Sequence, residues 1–237
     1  MKQIIAVAAA CLLASMSSGA RADDPQFGAR SLPGWEAVGR LNISGRNMCT
    51  GSLIAPNLVL TAAHCLYDPV TGRAIDPTTI KFEAGLVGRR SKAARNIAKA
   101  VVHPGYRHSE RGDTLMGSDI AVLRLSRPIS SSQIQPLGMS LNANRGDAVG
   151  VLSYNFNHAT RPSLERSCEV LARQRTTLVM SCLVDFGASG APVLQVNPGR
   201  SPTLVSVVSA KAAMGSRPVS IGTALDSTLW RLMQQAG

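Results

Sequence analysis

No apolar run in this chain is long enough to cross a bilayer as a helix, which takes about 20 residues. The longest, residues 4–16, has 13, and later runs are shorter. Aromatic residues are scarce at 4%, and none stands in the densest basic run, Arg89, Arg90, Lys92, Arg95 and Lys99. Without stacking residues a specific nucleic-acid surface is not expected. That run reads first as a solvated strand and loop, and at most as a weak contact of Arg89, Arg90, Lys92 and Arg95 with an anionic surface. Histidines number four. His103, His108 and His158 are scattered, and no pair has metal-ligand spacing with an acid or a cysteine, so no zinc site is expected. Acids are few, 14 against 25 Lys and Arg, and Asp68, Asp76 and Glu83 are too thinly spread for a calcium site. No cofactor and no metal are expected. What remains is 45% hydrophobic, with 21 Gly and 13 Pro spread along 237 residues, which excludes disorder, collagen and coiled coil.

The leader carries its own signal. Lys2 precedes the apolar run, and Ala20-Arg21-Ala22 supplies small residues around a cleavage point, so residues 1–22 read as a secretory signal peptide. A lipid attached at Cys11 is the weaker reading, because it leaves only a stub of apolar segment before the cysteine. Cleavage removes Lys2 and Arg21, leaving 23 basic against 14 acidic residues, a net of +9. It also leaves four cysteines, Cys49, Cys65, Cys168 and Cys182. An even set in an exported chain predicts two disulfides, in one of three pairings. Sequence-local pairing would close two loops of about 15 residues, each contributing roughly 3 kcal/mol in the chain-entropy model. Export to the periplasm or the medium is expected.

Short apolar runs between turn signals predict an all-β body. Strands are expected at 37–41, 49–54, 58–63, 80–86, 98–103 and 120–125, then at 148–154, 167–172, 178–183, 192–196 and 204–209. Between the two series, 128–136 is rich in Ser and Pro and reads as a connector. The expected division is an N-terminal segment at 23–34, one β unit at 35–127, a second at 137–225, and a C-terminal helix at 226–237. In that helix Asp226 serves as cap and Leu225, Leu229, Leu232 and Met233 share one face.

Three segments carry chemistry. Thr61-Ala62-Ala63-His64-Cys65 ends a hydrophobic strand, Ser118-Asp119-Ile120-Ala121-Val122-Leu123 opens one with an acid, and Gly187-Ala188-Ser189-Gly190-Ala191-Pro192 holds a serine between glycines. Serine nucleophilic chemistry needs a hydroxyl, an imidazole to take its proton, and a carboxylate to hold the imidazole in the right tautomer. Glycines beside the nucleophile let backbone N–H groups converge on the developing oxyanion, with Gly187 and Ser189 as the donors.

These segments resemble the trypsin/chymotrypsin family of serine peptidases over nearly all of the mature chain. Cys49-Thr50-Gly51-Ser52-Leu53-Ile54 is similar to the family's Cys-Gly-Gly-Ser-Leu-Ile strand, and Thr-Ala-Ala-His-Cys is intact at 61–65. Residues 118–123 resemble Asn-Asp-Ile-Ala-Leu-Leu, and Thr203-Leu204-Val205-Ser206-Val207-Val208-Ser209 resembles the strand that flanks the substrate. The resemblance implies two antiparallel six-stranded β-barrels of chymotrypsin type, endopeptidase activity, His64 as general base, Asp119 as its orienter and Ser189 as nucleophile. It also implies the bridges Cys49–Cys65 and Cys168–Cys182. The run from Cys182 to Gly190 resembles the bacterial trypsin-like and glutamyl-endopeptidase-like branch, and with the Ala-rich leader it suggests a bacterial source.

The departures are specific. Where the family has Gly-Asp-Ser-Gly-Gly-Pro, Ala188 replaces the acid that receives the new N-terminal ammonium of a cut zymogen, and 23–34 contains no Ile-Val-Gly-Gly. Counting back from Ser189 puts Leu183 at the floor of the primary pocket with Val184 beside it, an uncharged floor that argues against cleavage after Lys or Arg. Ser209 and Lys211 stand where Ser-Trp-Gly would lie. Lys211 is either a cation at the pocket wall or a solvated side chain. A monomer acting on a protein or peptide substrate is expected, the alternative being a catalytically weak or inactive homologue that serves as a binding module.

Overall fold

The computed structural model describes residues 25–108, 116–196 and 201–237. The leader expected at 1–22 lies outside the described residues.

Six strands close the first barrel: β1 (Val38–Ile43), β2 (Asn47–Ala55), β3 (Leu58–Thr61), β4 (Ile80–Ala84), β5 (Ala93–Val102) and β6 (Ala121–Leu125). They run in the order β1-β2-β3-β6-β5-β4, with antiparallel neighbours. Alternation builds it: β4 buries Ile80, Phe82 and Ala84 and turns Lys81 to solvent. β2 is buried on both faces from Cys49 to Ile54. One face, with Leu53, fills the barrel core, and the other, with Thr50, meets the second barrel.

The second barrel is formed by β8 (Ala148–Asn155), β9 (His158–Gln174), β10 (Thr177–Met180), β13 (Arg217–Ala224), β12 (Thr203–Met214) and β11 (Pro192–Gln195), closed by pairing of β11 with β12. A two-residue strand, β7 (Gly138–Met139), joins β12 in parallel. Val149, Val151, Val170, Leu178, Met180, Val193 and Val205 make its core. No strand is formed over 126–137, where the connector was expected.

Every expected strand is present with altered bounds, and two strands were not expected at all, the two-residue β7 and β13. β13 opens on Arg217-Pro218 and contains Gly222, poor β-formers that tertiary pairing overrides. Its signal was the two-residue turn Gly215-Ser216, with Gly215 at φ +64 and Met214 paired to Arg217. β9 begins far ahead of residue 167, in a polar stretch carrying Pro162, and absorbs a bulge where Ser167 sits at φ +63.

Helix α1 (Pro25–Arg30) packs on β9, whose Arg166 donates to the Gly28 carbonyl at 2.8 Å. Helix α2 (Thr228–Ala236) returns to the first barrel, packing on β5 and β6 and burying Leu229, Leu232 and Ala236. The Asp226 carboxylate caps it by accepting the Thr228 N–H at 2.8 Å. Among the described residues no helix is long and apolar enough to cross a membrane.

Candidate active site

The expected strand 58–63 stops at Thr61, and Ala63–Leu66 winds into a 3-10 turn that lifts His64 off the barrel wall. The disulfide Cys49–Cys65 ties the next residue to β2. Asp119 sits just before β6 and is 4% exposed. Both of its oxygens are spent on His64: Oδ1 accepts the backbone N–H at 2.8 Å and Oδ2 the ring Nδ1–H at 2.7 Å. The second bond assigns the Nδ1–H tautomer, which leaves Nε2 with a lone pair whenever the ring is neutral. Ser209, from β12 of the other barrel, donates its hydroxyl to the same Oδ2. Burial pulls the imidazole pKa down, but the hydrogen bond and charge of Asp119 outweigh it, leaving His64 above 6.5.

Ser189 lies in the loop between β10 and β11, anchored at its start by the second disulfide, Cys168–Cys182. Both bridges are those the family resemblance implies. The loop is a tight turn: Ala188 N–H donates to Asp185 O at 3.0 Å, Ala191 N–H to Ala188 O at 2.9 Å, and Gly190 N–H to Val208 O at 2.8 Å. Gly187 at φ +97 is required, since a Cβ there would stand 2.9 Å from the Asn155 Cα. The Phe186 carbonyl accepts the Phe156 N–H at 2.9 Å. In a trans peptide the N–H points opposite to the C=O, so the Gly187 N–H faces away from Phe156. Among the described residues neither the Gly187 nor the Ser189 N–H has a hydrogen-bond partner in the protein.

Ser189 and His64 line one cleft of about 450 Å³ together with Val184, Asp185, Phe186, Val208, Ser209, Ala210 and Lys211. No hydrogen bond joins the Ser189 hydroxyl to His64; such contacts are commonly long without substrate and tighten when it binds. Leu183 departs from expectation. It is 58% exposed and does not line the cleft. The preceding Cys182 is fully buried by its disulfide, and the chain leaving it turns the next side chain outward. Lys211 does reach the cleft, but its ammonium lies 3.7 Å from the Asp185 carboxylate and 4.3 Å from the centre of the Phe186 ring.

Elsewhere, the carboxylates weighed for calcium are each engaged within the protein. Asp68 accepts the amides of Val70 and Thr71, Asp76 caps a 3-10 turn, and Glu83 pairs with Arg40 at 2.7 Å. Cys49, Cys65 and His64 lie within 4.8 Å of one another, but both sulfurs are consumed by the disulfide. Of the basic run, Arg89, Arg90 and Lys92 are exposed, while Arg95 folds onto the carbonyls of Ala94 and Pro128.

Two antiparallel barrels, one carrying a carboxylate-held histidine and the other a glycine-flanked serine on a shared cleft, define the chymotrypsin class of fold. The chain belongs to the trypsin family, whose model matches residues 29–227. Among solved structures it is similar to a glutamyl endopeptidase in complex with MPD, with a TM-score of 0.71 and 17% identity over 86% of this chain and 92% of that one. Among curated proteins it is 30% identical over 109 residues to the ovochymase of Halocynthia roretzi, a match that spans 44% of this chain and 6% of that protein.

One residue that sequence reasoning passed over is Thr50. Its signal was the threonine where the family strand has glycine.

Proposed function

We propose that this chain is a serine endopeptidase that cleaves protein or peptide substrates by acyl transfer. The observation that carries the reading is the pair of hydrogen bonds that His64 donates to Asp119, one from its backbone and one from Nδ1, the second of which holds the Nδ1–H tautomer on the same cleft as Ser189. In this reading His64 Nε2 takes the proton of Ser189 Oγ as the Oγ–carbon bond forms. The tetrahedral oxyanion is met by the Gly187 and Ser189 N–H groups. Collapse expels the amine, which leaves with the proton from His64, and water reverses the sequence to free the acid. Two disulfides call for an oxidising compartment, and we place the protein outside the cytoplasm.

The test is a fluorophosphonate probe. The folded protein takes one adduct, Ser189→Ala takes none, and the labelling rate rises with pH through a midpoint above 6.5, because the base must be neutral and Asp119 holds its proton on. A folded wild type that stays unlabelled, or that labels at the same rate from pH 5 to 9, sinks the reading; that window brackets the ordinary histidine value of about 6.5.

The cleft wall favours neutral or acidic side chains at the cleaved bond. Val184, Val208 and Ala210 bring no charge, and the Asp185 carboxylate is occupied by Lys211. Removing the lysine releases that carboxylate. Lys211→Ala is expected to raise kcat/KM for Lys or Arg substrates relative to Gln by roughly fivefold, the ~1 kcal/mol an exposed pair is worth. An unchanged ratio would show that Lys211 plays no part in selection.

A further inference from the structure

Thr50 is polar, fully buried, and has no part in the acyl transfer described above. It lies on β2 of the first barrel, and its bonds cross to the second. Its hydroxyl oxygen accepts the Tyr154 N–H of β8 at 3.0 Å, and the hydroxyl proton faces two carbonyls, that of Tyr154 at 3.0 Å and that of Gly187 at 3.1 Å. Its own N–H donates to the Ser189 carbonyl at 2.9 Å, and its carbonyl accepts the Thr61 hydroxyl at 2.8 Å.

These bonds fall on the peptides that decide where the oxyanion donors point. The Gly187 N–H belongs to the peptide whose carbonyl is held by Phe156. The Ser189 N–H belongs to the Ala188–Ser189 peptide. On one side of it stands the Gly187 carbonyl, which shares the Thr50 hydroxyl proton with the Tyr154 carbonyl, and on the other the Ser189 carbonyl, held by the Thr50 N–H. A glycine at φ +97 gives this loop a soft joint, so something outside the loop has to fix the peptide planes. Ala188, fully buried, carries only a methyl and has no carboxylate to anchor the loop.

We propose that the Thr50 hydroxyl is the positioning group that holds the oxyanion loop of this chain in working form, in place of the carboxylate and ammonium pair that Ala188 cannot make. The inference rests on the serine-endopeptidase reading. It puts the switch inside the barrel junction, so that the loop depends on no terminal ammonium.

The test compares Thr50→Val, which keeps the shape and removes the hydroxyl, with Thr50→Ser, which keeps the hydroxyl. Thr50→Val is expected to lower kcat by about 10- to 100-fold, somewhat less than the loss of an oxyanion donor outright. KM should change less than about threefold, and binding of a peptide aldehyde, which forms the oxyanion, should weaken by the same factor as kcat. Thr50→Ser should stay within about threefold of wild type in all three. Wild-type kcat should also hold above pH 9, because no ammonium with a pKa near 8 supports the loop. Should Thr50→Val fail to fold, Thr50→Cys, with its weak donor, takes its place and should fall between Ser and wild type on one side and full loss on the other. Undiminished kcat in the folded valine or cysteine variant overturns the proposal, as does a serine variant as slow as valine, or loss of wild-type kcat with a midpoint near 8. A folded wild type that does not label with fluorophosphonate overturns the serine reading and this proposal together; a labelled wild type with a fully active Thr50→Val overturns this proposal alone.

Discussion

Ser189→Ala is expected to lower kcat by about a million-fold, His64→Ala by nearly as much, and the double variant by no more than either. In the proposed mechanism nucleophile and base act as one unit: the hydroxyl is a poor nucleophile unless Nε2 takes its proton, and Nε2 has nothing to activate once the hydroxyl is gone. Asp119→Asn should cost about ten-thousandfold. An amide can keep a single acceptor, whereas Asp119 uses one oxygen on the His64 backbone and the other on the ring. An asparagine that satisfies the backbone N–H offers the ring an NH₂, which selects the wrong tautomer. The measurement is steady-state turnover of a peptide amide by each purified variant, with folding checked by near-ultraviolet circular dichroism. Activity in Ser189→Ala above about 1% of wild type would mean that another group attacks the substrate, since losing the nucleophile of such a unit costs far more than that.

Gly190→Ala should lose several kcal/mol of stability, through contacts that join the barrels. Gly190 has φ +76, and a Cβ there would lie 2.1 Å from the Thr61 hydroxyl, 2.5 Å from the Thr50 carbonyl and 2.8 Å from the Ala62 nitrogen. The first two atoms are hydrogen-bonded to each other, so the methyl would land on that bond, and two of the three contacts are backbone that cannot rotate away. Left-handed strain of about 1–3 kcal/mol adds to overpacking of about 1–3 kcal/mol. Gly146→Ala isolates the two effects, since Gly146 has φ +90 but nothing within 4 Å of a Cβ, and it should show the strain alone. Denaturant midpoints of the two variants are compared with wild type. Equal shifts would show that the barrel junction yields to the methyl at no cost.

Much of this protein was legible because its signals are local. Short apolar runs between turn signals marked eleven of the thirteen strands among the described residues. The structure brings His64 against Asp119 and onto one cleft with Ser189, and each of the three stands in a short motif whose residue types the proposed chemistry demands. β7, β13 and the first half of β9 were not legible: β7 is only two residues long, and in the others Pro218, Gly222 and Pro162 oppose strand formation, so that only the neighbouring strands supply the reason to form one.

By itself the sequence determined the two β units, the bridges through the family pattern, and the motifs whose His64 and Ser189 line the cleft. Only the tertiary structure decided what each group faces. Leu183 was placed by counting back along a loop, but a loop's course depends on where Cys182 is pinned and on a glycine at positive φ, and the side chain ended in solvent. Lys211 meets Asp185 across 26 positions of sequence, and the Thr50 hydroxyl meets partners 104 and 137 residues away. Hydrogen bonds and charges act over a few ångströms whatever the sequence separation, so such partners are set by the closing of both barrels and carry no mark in the local text.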